Sequence, residues 1–142
     1  MSLLPPSTND QYAGALLSAR FLAVLAVLTI IPGCIHTFLP DGGAGRIAGI
    51  DLGICGPTII ALFAWAGATQ IALGLVMLVV SLRYRSLVPL MLAVVLLERS
   101  LHALCGWVTK AGPHHPPEHY AVLVGLPLLL AALVGSLREP AA

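Results

Sequence analysis

The chain has 142 residues and a mass of 14.8 kDa, with 58% hydrophobic residues, 9% charged residues and a mean hydropathy of +0.97. Soluble domains run about 45–50% apolar and about 25% charged. Seven basic and six acidic side chains are too few to cover such a fold in water, which excludes a soluble globular enzyme; disorder is excluded too, since it requires low hydrophobicity and high charge. A net charge of +1 without a basic patch leaves nothing to neutralise phosphates, so nucleic acid is excluded as a partner. The composition is that of an integral membrane protein.

A membrane-crossing helix needs about 20 mostly apolar residues, and four segments qualify. The first runs from Leu16 to Leu39, with Arg20 near one end and Pro32-Gly33 near the other. The polar stretch Ser7 to Gln11 precedes it, and no small-residue cleavage site comes before Pro32-Gly33, so it is expected to be a span and not a cleavable signal. Pro40 to Pro57 follows as a Gly-rich loop carrying Asp41, Arg46 and Asp51. It lacks the Gly-Lys-Ser/Thr ending and flanking strand of a phosphate cradle. The expectation is a re-entrant or surface-lying cap, with Ile47 to Ile54 dipping into the membrane interface.

The second span, Thr58 to Leu82, carries no formal charge, and Arg83-Tyr84-Arg85-Ser86 makes a basic turn. The third, Leu87 to Val108, contains Glu98, Arg99 and His102. A short Pro- and His-rich link, Lys110 to His119, leads into the fourth, Tyr120 to Leu137, with Pro127 inside. The runs are continuous and rich in Leu and Ala, where barrel strands would alternate. The expected fold is all-α: a single antiparallel four-transmembrane-helix bundle over residues 1–142. Four short helices bury little area alone, so a homo-oligomer is expected. The two halves differ in loop chemistry, which argues against an inverted-repeat transporter.

Arg20, Arg83, Arg85 and Arg138 flank the spans on one side, against Arg46 and Lys110 on the other. The bias of Lys and Arg toward the cytoplasm then puts both termini inside, in a multi-pass protein of a bacterial-type inner membrane. Cys34, Cys55 and Cys105 fall toward the outer, disulfide-permissive face. A Cys34–Cys55 bridge would staple the Gly-rich loop; the alternative is three thiols packed as small apolar residues.

The third helix carries the chemistry. Charges at mid-membrane cost at least about 2.5–3.5 kcal/mol each on insertion scales, and so mark an interior or a functional site. Glu98 and His102 are i,i+4 neighbours and Arg99 and His102 are i,i+3 neighbours, so the three share a face that Cys105 and Gly106 extend. Glu98 and Arg99 point about 100° apart and are not expected to pair with each other. Gln70, between Gly67 and Gly74 where a neighbouring helix can approach closely, comes to similar depth. It is expected to hydrogen-bond Glu98 or Arg99. With Trp65, His36 and Trp107, it completes the candidate binding residues. In the functional reading, Glu98 and His102 form an acid/base pair and Arg99 holds an oxygen-bearing group. In the structural reading, Glu98, Arg99 and Gln70 are interhelical glue.

A second constellation, His114, His115 and His119 with His36 or Asp41, offers ligands for Zn or Cu. It matches no recognised metal motif, and Pro116 and Pro117 stiffen the link. Its alternative is a solvated loop with Glu118 at a helix amino end, favourable to the helix dipole.

A first span ending in Phe38-Leu39-Pro40-Asp41, a second carrying Gly67 through Leu73-Gly74-Leu75, and a basic turn before the third make the layout similar to the DoxX-like class of small four-helix bacterial membrane proteins. That resemblance covers most of the chain and implies a four-helix membrane fold; some members of the class are associated with redox complexes. The Glu98-Arg99-Ser100-Leu101-His102 run matches no motif of that class. The chain also has no Cys-x-x-Cys of a quinone-linked thiol oxidoreductase, and it lacks the Arg/Asn/Glu pattern of the trimeric glutathione-dependent eicosanoid enzymes. The expected function is binding of a membrane lipid or small lipophilic molecule, with isomerase-like acid/base conversion, at Glu98, Arg99, His102 and Gln70. A non-enzymatic accessory subunit and a proton- or ion-coupled transporter are the alternatives. The sequence does not identify a cofactor.

Overall fold

The computed structural model describes residues 3–138. Four helices account for most of them: α1 (Leu16–Phe38), α2 (Gly56–Arg83), α3 (Val88–Leu104) and α4 (Pro117–Leu137). A 3-10 turn, Arg85–Leu87, leads into α3, and a π-turn, Cys105–Thr109, prolongs it. Each of the four segments is long and apolar enough to cross a membrane, with mean hydropathy between 1.7 and 2.2. No strand occurs among the described residues. The chain folds as an all-α four-helix bundle, as its composition requires.

Both described ends of the chain and the α2–α3 turn lie at one end of the bundle, the termini end. The Gly-rich loop and the His-rich link lie at the other, the loop end. At the termini end, residues 5–12 cross the α2–α3 turn. Ser7 Oγ and the Thr8 N–H donate to the Arg83 carbonyl at 3.0 and 3.1 Å, and Asn9 Nδ2 donates to the Leu82 carbonyl at 2.8 Å. These bonds satisfy the last carbonyls of α2, which have no partner within the helix.

α1 packs chiefly on α2, through small residues that repeat every seven positions. A Cβ at Gly67 would stand 2.7 Å from the Gly33 carbonyl oxygen and 2.7 Å from Thr37 Oγ1. One at Gly74 would stand 3.0 Å from the Ala26 carbonyl oxygen. Lipid is as apolar as a leucine, so helix association in a membrane rests on close van der Waals packing, which these glycines permit.

The tightly packed core occupies the termini half, where Leu22 of α1, Met77 of α2 and Val88 and Leu92 of α3 are completely buried, beside Leu129 of α4. Along α3 the inward stripe reads Val88, Leu92, Val95, Arg99, His102, Gly106, alternating steps of four and three. Its first three positions are core. The next two are polar, so the seam opens into a polar cleft in the loop half.

The Gly-rich loop is a wound series of turns seated on α1 and α2, with Gly42, Gly43, Ala44 and Ala48 buried. The His36 Nδ1–H donates to the Gly42 carbonyl at 2.7 Å, and the His36 ring meets Phe63 edge-on. Positive φ at Gly42 and Gly43, +59° and +75°, is the reason both must be glycine. Asp41 accepts the Gly43 and Arg46 N–H groups at 3.0 and 2.9 Å, and these bonds hold its carboxyl below the usual range. Ile47 and Ile54 are exposed.

Of the two readings of the cysteines, the unbridged one holds: all three are free thiols, and the loop takes its shape from Asp41 and His36. One boundary changes. α4 begins at Pro117 rather than Tyr120, because a proline in the first helical turn gives up only an N–H that has no helical partner there.

Candidate functional site

Arg99 is the hub. Its side chain is 13% exposed and reaches three other groups: Nε lies 3.1 Å from Glu98 Oε2, Nη1 lies 3.7 Å from Glu118 Oε1 on α4, and Nη2 donates to Thr29 Oγ1 on α1 at 3.4 Å. Thr29 is itself buried, and its hydroxyl donates to the Leu25 carbonyl. One guanidinium thus links α1, α3 and α4.

The expectation that Glu98 and Arg99 would not pair is corrected: they form a close ion pair. Their divergence on the helix shows instead in alignment, because Glu98 Oε2 is buried and accepts no hydrogen bond. The other carboxylate oxygen, Oε1, lies 3.1 Å from His102 Nδ1. A carboxylate at that distance favours the proton on Nδ1 and leaves Nε2 as the basic nitrogen.

His102, half exposed, lines a cavity of about 330 Å³ between the loop-end halves of α3 and α4, together with Gly106, Trp107, Lys110, Glu118 and His119. Cys105, Gly106 and Trp107 of the π-turn line the cavity; such turns often occur at functional sites. Gly106 leaves room for the His119 ring, whose Cε1 and Nε2 would stand 3.0 Å from a Cβ there. Trp107 Nε1 donates to the His119 carbonyl at 3.3 Å and its ring stacks on His115, centroids 4.2 Å apart. Tyr120 closes on Trp107 edge-on.

The other expected residues lie elsewhere. Gln70 does not reach Glu98 or Arg99. It lies against the α1 seam, where a Cβ on Gly33 would meet its Cβ at 3.1 Å, and its Oε1 is buried without a hydrogen bond. The glycines that let a helix approach Gln70 admit α1, whereas α3 turns its polar stripe to Thr29 and α4. Trp65 is 74% exposed on the outside of α2, and His36 is engaged with the loop. The three link histidines diverge: His114 Nε2 donates to the Ala48 carbonyl at 2.6 Å, while His115 and His119 bring their Nδ1 atoms to 3.1 Å. No group of three ligating side chains able to hold a metal occurs among the described residues.

Two residues of the cluster escaped sequence reasoning. Thr29 carries no sequence signal. Glu118 does carry one, since the short link from Lys110 to Pro116 forces the first turn of α4 beside the last turns of α3, within reach of a long arginine. Comparison with protein-family models, curated proteins and solved structures finds no match to this chain, so the site is read from its own chemistry.

Proposed function

We infer that the chain binds a small lipophilic molecule in the α3–α4 cleft and converts it by proton transfer, a redox-neutral, isomerase-like reaction. His102 is the acid/base group, Glu98 orients it, Arg99 fixes Glu98, and Trp107 offers an apolar wall. The observation that carries this reading is His102 itself: one ring nitrogen sits beside a carboxylate while the ring lines an open cavity. A positioned imidazole of this kind contributes typically 10²–10⁴-fold to a proton transfer.

The cluster's access from the loop end supports entry of the ligand from that side. The Lys and Arg distribution supports an inner-membrane protein with cytoplasmic termini, in which the loop end faces outward. The large exposed apolar surface outside the cleft suits lipid and a homo-oligomer alike.

A second reading, an accessory subunit without chemistry, is favoured by the contacts of Arg99 to α1 and α4, which are what interhelical glue would make. A proton-coupled transporter fits less well, because Leu22, Met77 and Leu92 close the termini half with apolar side chains.

Native mass spectrometry of detergent-purified protein separates these. Wild type is expected to carry a bound small molecule that His102→Gln and Glu98→Gln proteins of equal thermal stability have lost. Retention of that molecule by folded His102→Gln protein, or its absence from wild type, overturns the reading.

A further inference from the structure

The arginines of the termini end are of two kinds. Arg83 and Arg85 are spent on the protein itself: Arg83 Nη2 donates to the Pro5 carbonyl at 3.0 Å and Arg85 Nε to the Ser81 carbonyl at 3.3 Å. The side chains of Arg20 and Arg138 are exposed and make no hydrogen bond or ion pair among the described residues. Both belong to one helix junction. The Ala15 N–H donates to the Gly135 carbonyl at 3.1 Å, and Ser18 Oγ packs on Gly135, so the first turn of α1 is pinned to the last turn of α4. Arg20 follows one turn into α1 and Arg138 directly follows α4.

A groove of about 410 Å³ runs along α4 to the same place, lined by Pro127, Leu130, Ala131, Val134, Gly135 and Arg138. Pro127, Ala131 and Gly135 recur one turn apart and hollow the helix face, while Leu130 and Val134 wall it. The groove is hydrocarbon along its length and cationic where the span meets the polar boundary. An acyl chain with an anionic head group has the complementary pattern; a zwitterionic head group meets the same guanidinium with no net charge.

We propose that this groove is a binding site for an anionic phospholipid, with one acyl chain along Pro127 to Gly135 and the head-group phosphate against Arg138. A basic side chain at an anionic lipid surface is worth about fivefold in binding. The site lies at the opposite end from the α3–α4 cleft and is independent of it.

The full-length protein, equilibrated in mixed micelles with equal phosphatidylglycerol and phosphatidylcholine, is examined by native mass spectrometry. Wild type is expected to retain phosphatidylglycerol several-fold over phosphatidylcholine. Arg138→Gln lowers phosphatidylglycerol retention about fivefold and leaves phosphatidylcholine unchanged. Ala131→Phe, at an exposed position, fills the groove and lowers retention of both lipids. Equal retention of the two lipids by wild type overturns the proposal. So does wild-type retention of phosphatidylglycerol by either variant, with unchanged thermal unfolding confirming that each is folded.

Discussion

The Arg99 guanidinium stands between two carboxylates, Glu98 on its own helix and Glu118 on α4, with Nη1 3.7 Å from Glu118 Oε1. The two contacts differ in weight. Glu98 is the closer and more buried partner, at 31% side-chain exposure against 48% for Glu118. The cluster carries one negative charge when His102 is neutral and none when it is protonated.

Removing Arg99 therefore costs more than removing Glu118. Arg99→Gln loses its contacts with Thr29 and with both carboxylates, and is expected to destabilise by about 1–3 kcal/mol, the range for leaving a buried polar group without its partner. Glu118→Gln, at a solvent-screened and long contact, is expected to cost less than about 1 kcal/mol. Equilibrium unfolding in mixed micelles measures both, and an equal cost for the two variants contradicts the hierarchy.

The α1–α2 seam makes a sharper prediction. Gly67→Ala puts a methyl group 2.7 Å from the Gly33 carbonyl oxygen and from His36 Cβ, so the helices must separate, at about 1–3 kcal/mol for overpacking. Gly125→Ala meets nothing within 4 Å and gains helix propensity of up to about 1 kcal/mol. Thermal unfolding of the two variants is expected to move in opposite directions.

Asp41 gives the loop a pH dependence. Its carboxyl is held down by the N–H groups of Arg46 and Gly43, so the folded loop prefers the ionised form. That preference stabilises the loop at pH above the ordinary carboxylate value and is lost as pH falls through the lowered one. Amide hydrogen exchange at Gly43 and Arg46 is expected to quicken, relative to control amides, as pH drops across that window. Asp41→Asn is expected to remove the effect.

Topology is checked by labelling in a background lacking Cys34, Cys55 and Cys105. A thiol placed at Gly43 is expected to react with an impermeant reagent from outside, and one placed at Ser86 to stay protected. The reverse pattern inverts the orientation drawn from the arginines.

Four apolar runs of about 20 residues, each bounded by Pro, Gly or Arg, are enough to specify four helices, because a bilayer permits few other ways to satisfy the backbone. The i,i+4 meeting of Glu98 and His102 was legible for the same local reason, since helical spacing alone brings such side chains together. Which helix receives Gln70 was not legible: the small residues Gly67 and Gly74 announce a close neighbour without saying which one. Tertiary packing gave that place to α1 and turned Arg99 toward Thr29 and Glu118. It also sent His114 to the Ala48 carbonyl and away from His115 and His119. Local sequence sets what a helix can present to its surroundings. The partner is decided by how the four helices share their small and large faces, a property of the whole bundle.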